Sequence, residues 1–480
     1  MNVRIVLYIV GWILQFESFF LLLPAIVGAI YKETKMLICF AVACAISLVA
    51  GLLLKLLKPK NTGLYMREGF ATVALGWIAL SIFGAIPFFL SGDIPNFEDA
   101  LFETISGFTT TGASILNDVE ALSHASLFWR SFTHWIGGMG VFVFIMAILP
   151  LMGASTMNLM RAESPGPSVG KLVPHVKETA KILYELYILV TVLCLTALLI
   201  CRVPLFDALS LTFGTVGTGG FGLYNASIAV YPPHVQNVLT VFMILSGINY
   251  AVYFCIIRKK FKDALSIEEV RWYIAIICFS ALAIMWNIKH LYPTLGETAR
   301  HAFFQVGSII TTTGYSTTDF DLWPQFAKTI LVILMFVGAC SGSTGGGIKI
   351  SRLVILFKAF KKEIQTLIHP GMVKKIQMDG HTISHETIRS TNVFISIYFV
   401  IVFASILVLS LDNKSFGTNF TAVAATLNNI GPGIEAVGPT CNFSSFSVLS
   451  KVVLMFDMLA GRLELFPMLF IFAPSCWKKY

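Results

Sequence analysis

Long apolar runs joined by short polar connections fill the chain almost from end to end. The first two, at residues 5–30 and 36–57, match the length of about 20 apolar residues that a helix needs to cross a membrane. The first run is too long for a signal-peptide core and lacks a small-residue cleavage pattern, so we interpret it as a retained helix. The pattern therefore predicts an N-terminal pair of transmembrane helices.

After this pair, the pattern repeats one unit four times. Each unit holds a spanning run, a polar segment, an apolar run too short to span, a glycine-bearing stretch and a second spanning run. A short helix between two spans that ends in a glycine-bearing loop is a re-entrant element, because irregular backbone at membrane depth is tolerated only against protein or water. The chain is therefore predicted to hold ten spanning helices and four re-entrant segments.

The glycine-bearing stretches align the four units with one another. They are Thr109-Thr110-Thr111-Gly112-Ala113, Val216-Gly217-Thr218-Gly219-Gly220, Thr311-Thr312-Thr313-Gly314-Tyr315 and Asn429-Ile430-Gly431-Pro432-Gly433, which we align on Gly112, Gly219, Gly314 and Gly431. The predicted divisions are an N-terminal two-helix unit at 1–67, repeats at 68–153, 154–260, 261–365 and 390–480, and a cytoplasmic hairpin linker at 366–389. The fold class is thus an all-α polytopic membrane protein with four repeats around a pseudo-fourfold axis.

Two features interrupt the apolar runs. The last span of the third repeat contains the glycine-rich segment 338–347, which cannot hold a stable helix because each glycine costs about 1 kcal/mol relative to alanine. Arg462 falls in the middle of the final predicted span, 448–472, where a charge is a functional hypothesis by default. Between the last two repeats, alternating residues around Asp379-Gly380 predict a β-hairpin, either a partner-docking surface or a connector.

Composition and charge agree with a membrane protein and give its orientation. Hydrophobic residues make up 56% of the chain and charged residues 12%. The net charge of +8 comes from Lys and Arg in alternate loops, which argues against nucleic-acid binding and, by the positive-inside rule, predicts cytoplasmic termini and glycine stretches that enter from outside. The nine cysteines mostly stand singly in apolar runs, so we interpret them as buried thiols rather than metal ligands.

Four glycine stretches brought to one axis would present rings of backbone carbonyl oxygens. Such neutral oxygens replace the hydration shell of a monovalent cation, and glycine permits the backbone angles that turn them inward. The negative ends of the short helices would favour a cation further, with Asp99, Asp207 and Glu297 near three of their outer starts. The candidate filter residues are Thr110, Thr111, Gly112, Gly217, Thr218, Gly219, Thr312, Thr313, Gly314, Asn429, Ile430 and Gly431.

At these motifs the chain resembles the pore-forming subunits of the Trk potassium uptake system, within the Trk/Ktr/HKT superfamily. The resemblance covers essentially the whole chain and is carried by residues 106–113, 218–221, 311–315, 428–433, the glycine-rich segment and Gly461-Arg462-Leu463-Glu464. It implies potassium-channel-like repeats and K⁺ uptake, because glycine at the position of Gly112 accompanies K⁺ selectivity in that family and serine is associated with Na⁺. Gly217 is a departure, since a bulkier or hydroxyl residue is expected there.

The resemblance also implies a gate, partners and a location. The gate is the broken helix together with the arginine, represented here by Gly338, Ser341, Gly342, Ser343, Thr344, Gly345, Gly346, Gly347 and Arg462. The implied partners are a second copy of the chain, membrane lipid and a cytoplasmic nucleotide-binding regulatory subunit of the TrkA type. The implied location is the bacterial cytoplasmic membrane, with K⁺ as the transported and filter-bound ion and no other cofactor in the chain.

Several alternatives remain beside this interpretation. An ion-coupled secondary transporter is the second candidate, although such proteins usually contain inverted repeats; a membrane enzyme is disfavoured because no polar catalytic set lies within the spans. Residues 217–222 and 342–349 resemble dinucleotide and phosphate loops but lack the required context. Arg462 has a structural alternative, a pair with Asp457 or Glu464. Glu17 is interpreted as a structural pair rather than an ion-handling group, and His381 and His385 as solvated side chains.

Overall fold

The computed structural model describes residues 1–59, 65–148, 176–370 and 375–477. The predicted boundary between residues 153 and 154 lies outside these ranges. The N-terminal pair consists of α1 (Val3–Ile30) and α2 (Thr34–Lys55), which lie close enough at Gly11 and Gly51 that a Cβ on either glycine would approach within 2.8 Å of the other's carbonyl oxygen. This pair packs on the first repeat through contacts of α1 with its first and last helices.

The four repeats follow in chain order. The first contains α3 (Met66–Ser91), α4 (Phe97–Phe108) and α5 (His124–Ile148), and the second contains α6 (Val176–Ile200), α7 (Leu205–Val216), α8 (Pro233–Ser246), α9 (Tyr250–Ile257) and α10 (Phe261–Ser266). The third contains α11 (Glu268–Ile288), α12 (Leu295–Ile310), α13 (Gln325–Met335) and α14 (Ile350–Ile368). The fourth contains α15 (His385–Leu409), α16 (Phe416–Leu427), α17 (Val448–Arg462), α18 (Phe466–Phe472) and α19 (Pro474–Trp477).

Ten spans were predicted, of which the last span of the third repeat was expected to be broken, and the described residues show further breaks. In the described part of the chain, six helices are long and apolar enough to cross a membrane, and a seventh span results if the bent pair α8 and α9 is counted as one. The second span is interrupted not only in the third repeat, as predicted, but also in the second and fourth. Three of the four repeats therefore carry a break in the same part of the unit.

The break in the second repeat is a bend of 93° between α8 and α9. A Cβ at Gly247 would overlap the Tyr273 hydroxyl, so only glycine fits at the end of α8. Asn249 then starts α9 by accepting a hydrogen bond from the Ala251 N–H at 2.9 Å. The Cys340 N–H of the third repeat donates to the Gly247 carbonyl at 3.0 Å, so the bend is fixed by a contact with a distant segment.

The break in the fourth repeat follows Arg462, which is the last residue of α17 rather than the middle of one long helix. Glu464 and Leu465 both have positive φ, at 56° and 66°. The Leu465 N–H closes the helix end on the Ala460 carbonyl at 2.7 Å, and Pro467 lies in the first turn of α18. Left-handed residues end a helix because they cannot continue its hydrogen bonds.

The predicted hairpin is confirmed. Strands β1 (Gln377–Met378) and β2 (His381–Thr382) pair antiparallel, with Gln377 opposite Thr382. Asp379 and Gly380 occupy the turn with φ of 50° and 78°, the positive angles that a type I′ turn requires. His381 is exposed on the strand and His385 is exposed at the start of α15, as expected for solvated side chains.

Glu17 faces protein rather than lipid, as predicted. Its side chain is buried beside Gly84, where a Cβ would lie 3.0 Å from Glu17 Oε1. The predicted pairing partner is not found, because neither carboxylate oxygen has a hydrogen-bond partner within the described ranges.

Candidate functional site

The four short helices α4, α7, α12 and α16 all end at one point of the fold. Each has the re-entrant length expected, at 12 or 16 residues, and each ends at a cap residue that is, or is next to, the first residue of its glycine stretch. The caps are Thr109, Gly217, Thr311 and Asn428. Because a helix C-terminus carries a partial negative charge, this convergence makes the meeting point favourable for a cation.

The four loops after these helices share one backbone conformation. The residue after each cap has a left-handed φ between 55° and 59°, at Thr110, Thr218, Thr312 and Asn429. Two residues later, a glycine has a φ between 78° and 96°, at Gly112, Gly220, Gly314 and Gly431. The equivalence of the loops therefore rests on backbone geometry and not only on sequence similarity.

The loops close into a ring. A Cβ added to Gly112 would overlap the carbonyl oxygen of Gly219, one on Gly220 would overlap that of Thr313, one on Gly314 would overlap that of Ile430, and one on Gly431 would lie 2.8 Å from that of Thr111. Each loop thus touches the next in chain order, and the fourth touches the first. We call these four loops the carbonyl ring.

The ring corrects the alignment of the second loop by one residue. The sequence placed Gly219 with Gly112 and Gly314, but the left-handed glycine of this loop is Gly220. Gly219 instead matches Thr111 and Thr313, and Gly217 is the helix cap that matches Thr109. The predicted set of filter residues omitted Gly220 and included Gly217. Glycine was unexpected at position 217, and in the structure this residue is the cap of α7.

One residue of α5, His134, explains through its side chain and its backbone why the second loop has glycine at positions 217 and 219. A Cβ on Gly219 would overlap the imidazole of His134, and one on Gly217 would overlap the His134 carbonyl oxygen. The imidazole lies 2.8 Å from the Gly107 carbonyl through Nδ1 and accepts a hydrogen bond from the Phe221 N–H at Nε2, at 3.2 Å. His134 therefore fills the space that threonine side chains fill elsewhere.

The other loops support the ring with hydroxyl and amide groups. In the first loop, Thr109 and Thr111 hydroxyls are 2.8 Å apart, and the same pair in the third loop, Thr311 and Thr313, is also 2.8 Å apart. In the fourth loop, the Asn429 amide donates to the Thr111 hydroxyl at 2.9 Å and so joins the fourth loop to the first. His134 was not among the predicted site residues, although a polar residue within a predicted span indicates a functional position.

A cavity of about 130 Å³ opens on one face of the ring and is lined by all four left-handed glycines. Arg130 lies at its wall and forms a buried ion pair with Glu103, with 2.5 Å between Nε and Oε1. Glu103 also accepts from the Ile115 N–H at 3.0 Å, and Arg130 donates to the Gly222 carbonyl at 2.9 Å. This pair therefore fixes the first loop to the second.

We expect Glu103→Gln to lower the thermal unfolding midpoint of the purified protein. Removing one partner of a buried pair leaves the Arg130 charge uncompensated, which typically costs about 3–5 kcal/mol. Glu297→Gln is the matched control, because Glu297 is partly exposed and lies 3.8 Å from Arg300. Equal unfolding midpoints for the two variants would contradict a stabilising role for the Glu103 pair.

The glycine-rich segment of the third repeat contacts the opposite face of the ring. It forms a loop between α13 and α14, at residues 336–349, which we call the intramembrane loop. The Gly346 N–H donates to the Thr312 hydroxyl at 2.7 Å, and a Cβ on Gly346 would lie 2.6 Å from the Asn428 carbonyl oxygen. The loop therefore lies directly against the helix-cap side of the ring.

A single carboxylate joins the middle of the intramembrane loop to the start of α14. Glu269 Oε1, near the start of α11, accepts from the Ser341 N–H at 2.7 Å and from the Ser351 N–H at 3.1 Å. The second-repeat bend adds a further contact, since the Tyr250 N–H donates to the Gly342 carbonyl at 3.2 Å. Glu269 was not among the predicted site residues, because its hydrogen-bond partners are more than 70 residues away along the chain.

The Arg462 side chain reaches the intramembrane loop. Its guanidinium donates to the Thr344 carbonyl at 2.8 Å and to the Gly137 carbonyl of α5 at 2.7 Å. The carboxylates considered as alternative partners have other contacts: Glu464 pairs with Arg352 at 2.5 Å, and Asp457 accepts from the Ser405 hydroxyl at 2.9 Å. Arg462 thus joins three elements on the helix-cap side of the ring.

In the described part of the chain, no group of three or more His, Cys, Asp or Glu side chains is placed to hold a metal ion. The oxygen-rich part of the site is the backbone of the ring. The patterns at 217–222 and 342–349 that resembled nucleotide-binding loops fall in the ring and in the intramembrane loop, respectively.

Comparisons with known proteins give one consistent family. The TrkH family profile, described as a cation transport protein, matches residues 35–479. The Trk system potassium uptake protein TrkH of Salmonella typhimurium is 36% identical over 488 residues, covering 100% of both chains, and TrkG of Escherichia coli K12 is 33% identical over 486 residues, covering 99% of each. The crystal structure of the potassium transporter TrkH from Vibrio parahaemolyticus superposes with a TM-score of 0.89 at 32% identity, covering 100% of both chains.

Proposed function

The chain belongs to the TrkH family of cation transport proteins, and we propose that it takes up potassium ions through the carbonyl ring. The resemblance expected from the motifs is thereby confirmed. Potassium uptake is the function of this chain, which is a multi-pass protein of the bacterial inner membrane. The family consists of cation transport proteins, which are not a class of enzymes.

The observation that carries the proposal is the closure of the ring at Gly112, Gly220, Gly314 and Gly431. Each of these glycines lies where a Cβ would meet a carbonyl oxygen of the next loop, so the backbones of all four loops crowd around one axis. Backbone carbonyls in a ring replace the water of a dehydrated K⁺ ion. We therefore assign the carbonyl ring as the selectivity filter and the cavity on its outer face as the entry.

We assign the intramembrane loop and Arg462 as the gate. The loop lies against the inner side of the ring, and the guanidinium adds a fixed positive charge to the same region. A cation leaving the ring meets both a physical obstruction and electrostatic repulsion. Opening then requires that the loop move and that the contacts of Arg462 with Thr344 and Gly137 break.

We further propose a homodimer with cytoplasmic termini, controlled by a cytoplasmic nucleotide-binding subunit that docks near the hairpin. The Asp379 carboxylate at the hairpin turn accepts from the Glu268 N–H at 2.6 Å, and Lys358 donates to Glu268 at 2.5 Å. The next residue, Glu269, holds the intramembrane loop. A partner that moves the hairpin would therefore move Glu268, which is adjacent to Glu269, the residue whose carboxylate positions the proposed gate.

Flux measurements in proteoliposomes with K⁺, Rb⁺, Na⁺ and Li⁺ test the proposal. We expect K⁺ and Rb⁺ to pass and Na⁺ and Li⁺ to be excluded, because the ring is built of neutral carbonyls. Gly112→Ser is expected to admit Na⁺, whereas Gly296→Ala is a control with no neighbouring atom within 4 Å of the added Cβ. Equal K⁺ and Na⁺ permeation by the unmodified protein would reject the filter, and flux that requires a cotransported ion or solute would favour the coupled transporter.

A further inference from the structure

Lys349, the last residue of the intramembrane loop, carries a buried positive charge to which the gate proposed above assigns no role. Its ammonium donates to the carbonyl oxygen of Gly345 and lies 3.5 Å from that of Gly346. The chain turns between these residues at Gly347, whose φ is +70°. The left-handed turn lets the lysine side chain fold back onto its own loop.

The ligands of this ammonium are unusual for a buried lysine. A buried charge is normally paired with an opposite charge, because leaving water costs several kcal/mol. None of the ion pairs within the described ranges includes Lys349. The nearby carboxylates bind elsewhere, since Glu464 pairs with Arg352 and Glu269 accepts from two backbone N–H groups.

The position of the two carbonyls matters for an ion that leaves the ring. The N–H of Gly346 is bonded to the Thr312 hydroxyl, and a Cβ on Gly345 would lie 3.0 Å from the Thr311 carbonyl oxygen. The residues that hold the ammonium are thus the same residues that contact the ring. An ion that passes the third loop reaches them next.

We propose that the Gly345 and Gly346 carbonyl oxygens form a binding site for a dehydrated monovalent cation, and that the Lys349 ammonium occupies this site while the intramembrane loop is closed. An ammonium group and K⁺ carry the same charge and accept the same neutral oxygen ligands. Lys349 therefore acts as a tethered competitor of the permeating ion. This inference rests on the proposed function, because it assumes that K⁺ leaves the ring on this side.

Lys349→Met tests the competition by removing the charge from a side chain of similar length. We expect K⁺ flux into proteoliposomes to rise roughly tenfold, as for the loss of one charge-assisted hydrogen bond from the closed state. Lys349→Arg keeps the charge but carries a planar guanidinium in place of the compact ammonium, so we expect a flux between those of the unmodified protein and Lys349→Met. Lys361→Met, at an exposed position of the helix α14 that follows the intramembrane loop, is the matched control and is expected to leave the flux unchanged.

A second measurement detects the site directly. Crystals of Lys349→Met soaked with Tl⁺ are expected to show anomalous density at the Gly345 and Gly346 carbonyls, whereas the unmodified protein shows Tl⁺ at the ring only. If the methionine variant is not monodisperse, Lys349→Gln replaces it, because the amide fills the same space without a charge.

The outcomes separate this inference from the proposed function. Unchanged flux in the variant, with Tl⁺ at the ring but not at Gly345 and Gly346, overturns the site while leaving potassium uptake intact. Loss of K⁺ selectivity in the unmodified protein rejects the proposed filter, whatever the lysine variants do.

Discussion

Replacing Arg462 by alanine is expected to raise K⁺ flux by at least about a hundredfold. The guanidinium makes two hydrogen bonds, to the Thr344 and Gly137 carbonyls, and both belong to the closed arrangement. Hydrogen bonds from charged groups are worth roughly 1.5–3 kcal/mol each, and about 1.4 kcal/mol changes an equilibrium tenfold. Losing them shifts the loop toward the open state and also removes positive charge from the ion path.

Rb⁺ uptake into proteoliposomes measures this effect, normalised to the amount of monodisperse protein. Arg389→Ala is the control, since Arg389 is exposed in the first turns of α15. Arg462→Lys separates charge from bridging: an ammonium is a point charge without the planar fork, so we expect an intermediate flux. Lower protein yield with unchanged flux per molecule would instead make Arg462 a structural clamp.

The repeated architecture was predictable because it depends on short-range pattern. The four short helices were found from their length and from the glycine stretch that follows each of them, and the hairpin from Asp379-Gly380 between alternating residues. The all-α polytopic fold with transmembrane helices is confirmed by the structure and by its similarity to the Vibrio parahaemolyticus transporter. These features need no knowledge of which residues meet in space.

The predictions that were wrong concern features that depend on contacts between distant segments of the chain. The last span of the second repeat, residues 238–257, was predicted to be uninterrupted because it is largely apolar. Tyr273 and Cys340 from the third repeat instead fix a bend at Gly247. The second loop was misaligned because two adjacent glycines, Gly219 and Gly220, are equivalent in sequence alone. The left-handed φ of Gly220 and the contact of Gly219 with His134, about 85 residues earlier in the chain, distinguish them.

The four quarters of the ring reach one backbone conformation by different means. Hydroxyl pairs support the first and third loops, the imidazole of His134 supports the second, and the Asn429 amide supports the fourth. The backbone angles are similar in all four, so the oxygen positions are maintained while the side chains behind them vary. A substitution behind one loop is therefore expected to act mainly on the quarter that it supports, and at Asn429 also on the first loop, because the Asn429 amide donates to Thr111.

Gly220→Ala is expected to reduce K⁺ flux by at least about a hundredfold, like Gly112→Ala and Gly314→Ala. A non-glycine residue at the φ of +81° costs roughly 1–3 kcal/mol, and about 1.4 kcal/mol is a factor of ten. The added Cβ would also overlap the Thr313 carbonyl oxygen, which belongs to the ring itself. Relief of this overlap requires movement of a proposed filter oxygen, so selectivity for K⁺ over Na⁺ is expected to fall with the flux.

A double-mutant comparison decides which glycine belongs to the ring. Gly219→Ala also damages the site, but its Cβ overlaps the His134 imidazole, so adding His134→Ala is expected to restore part of the flux. The same addition is not expected to rescue Gly220→Ala, because that clash is with backbone of the third loop. Gly296→Ala again serves as the neutral control. Rescue of Gly220→Ala rather than Gly219→Ala by the shortened His134 would restore the original alignment and reject the ring register proposed from the backbone angles.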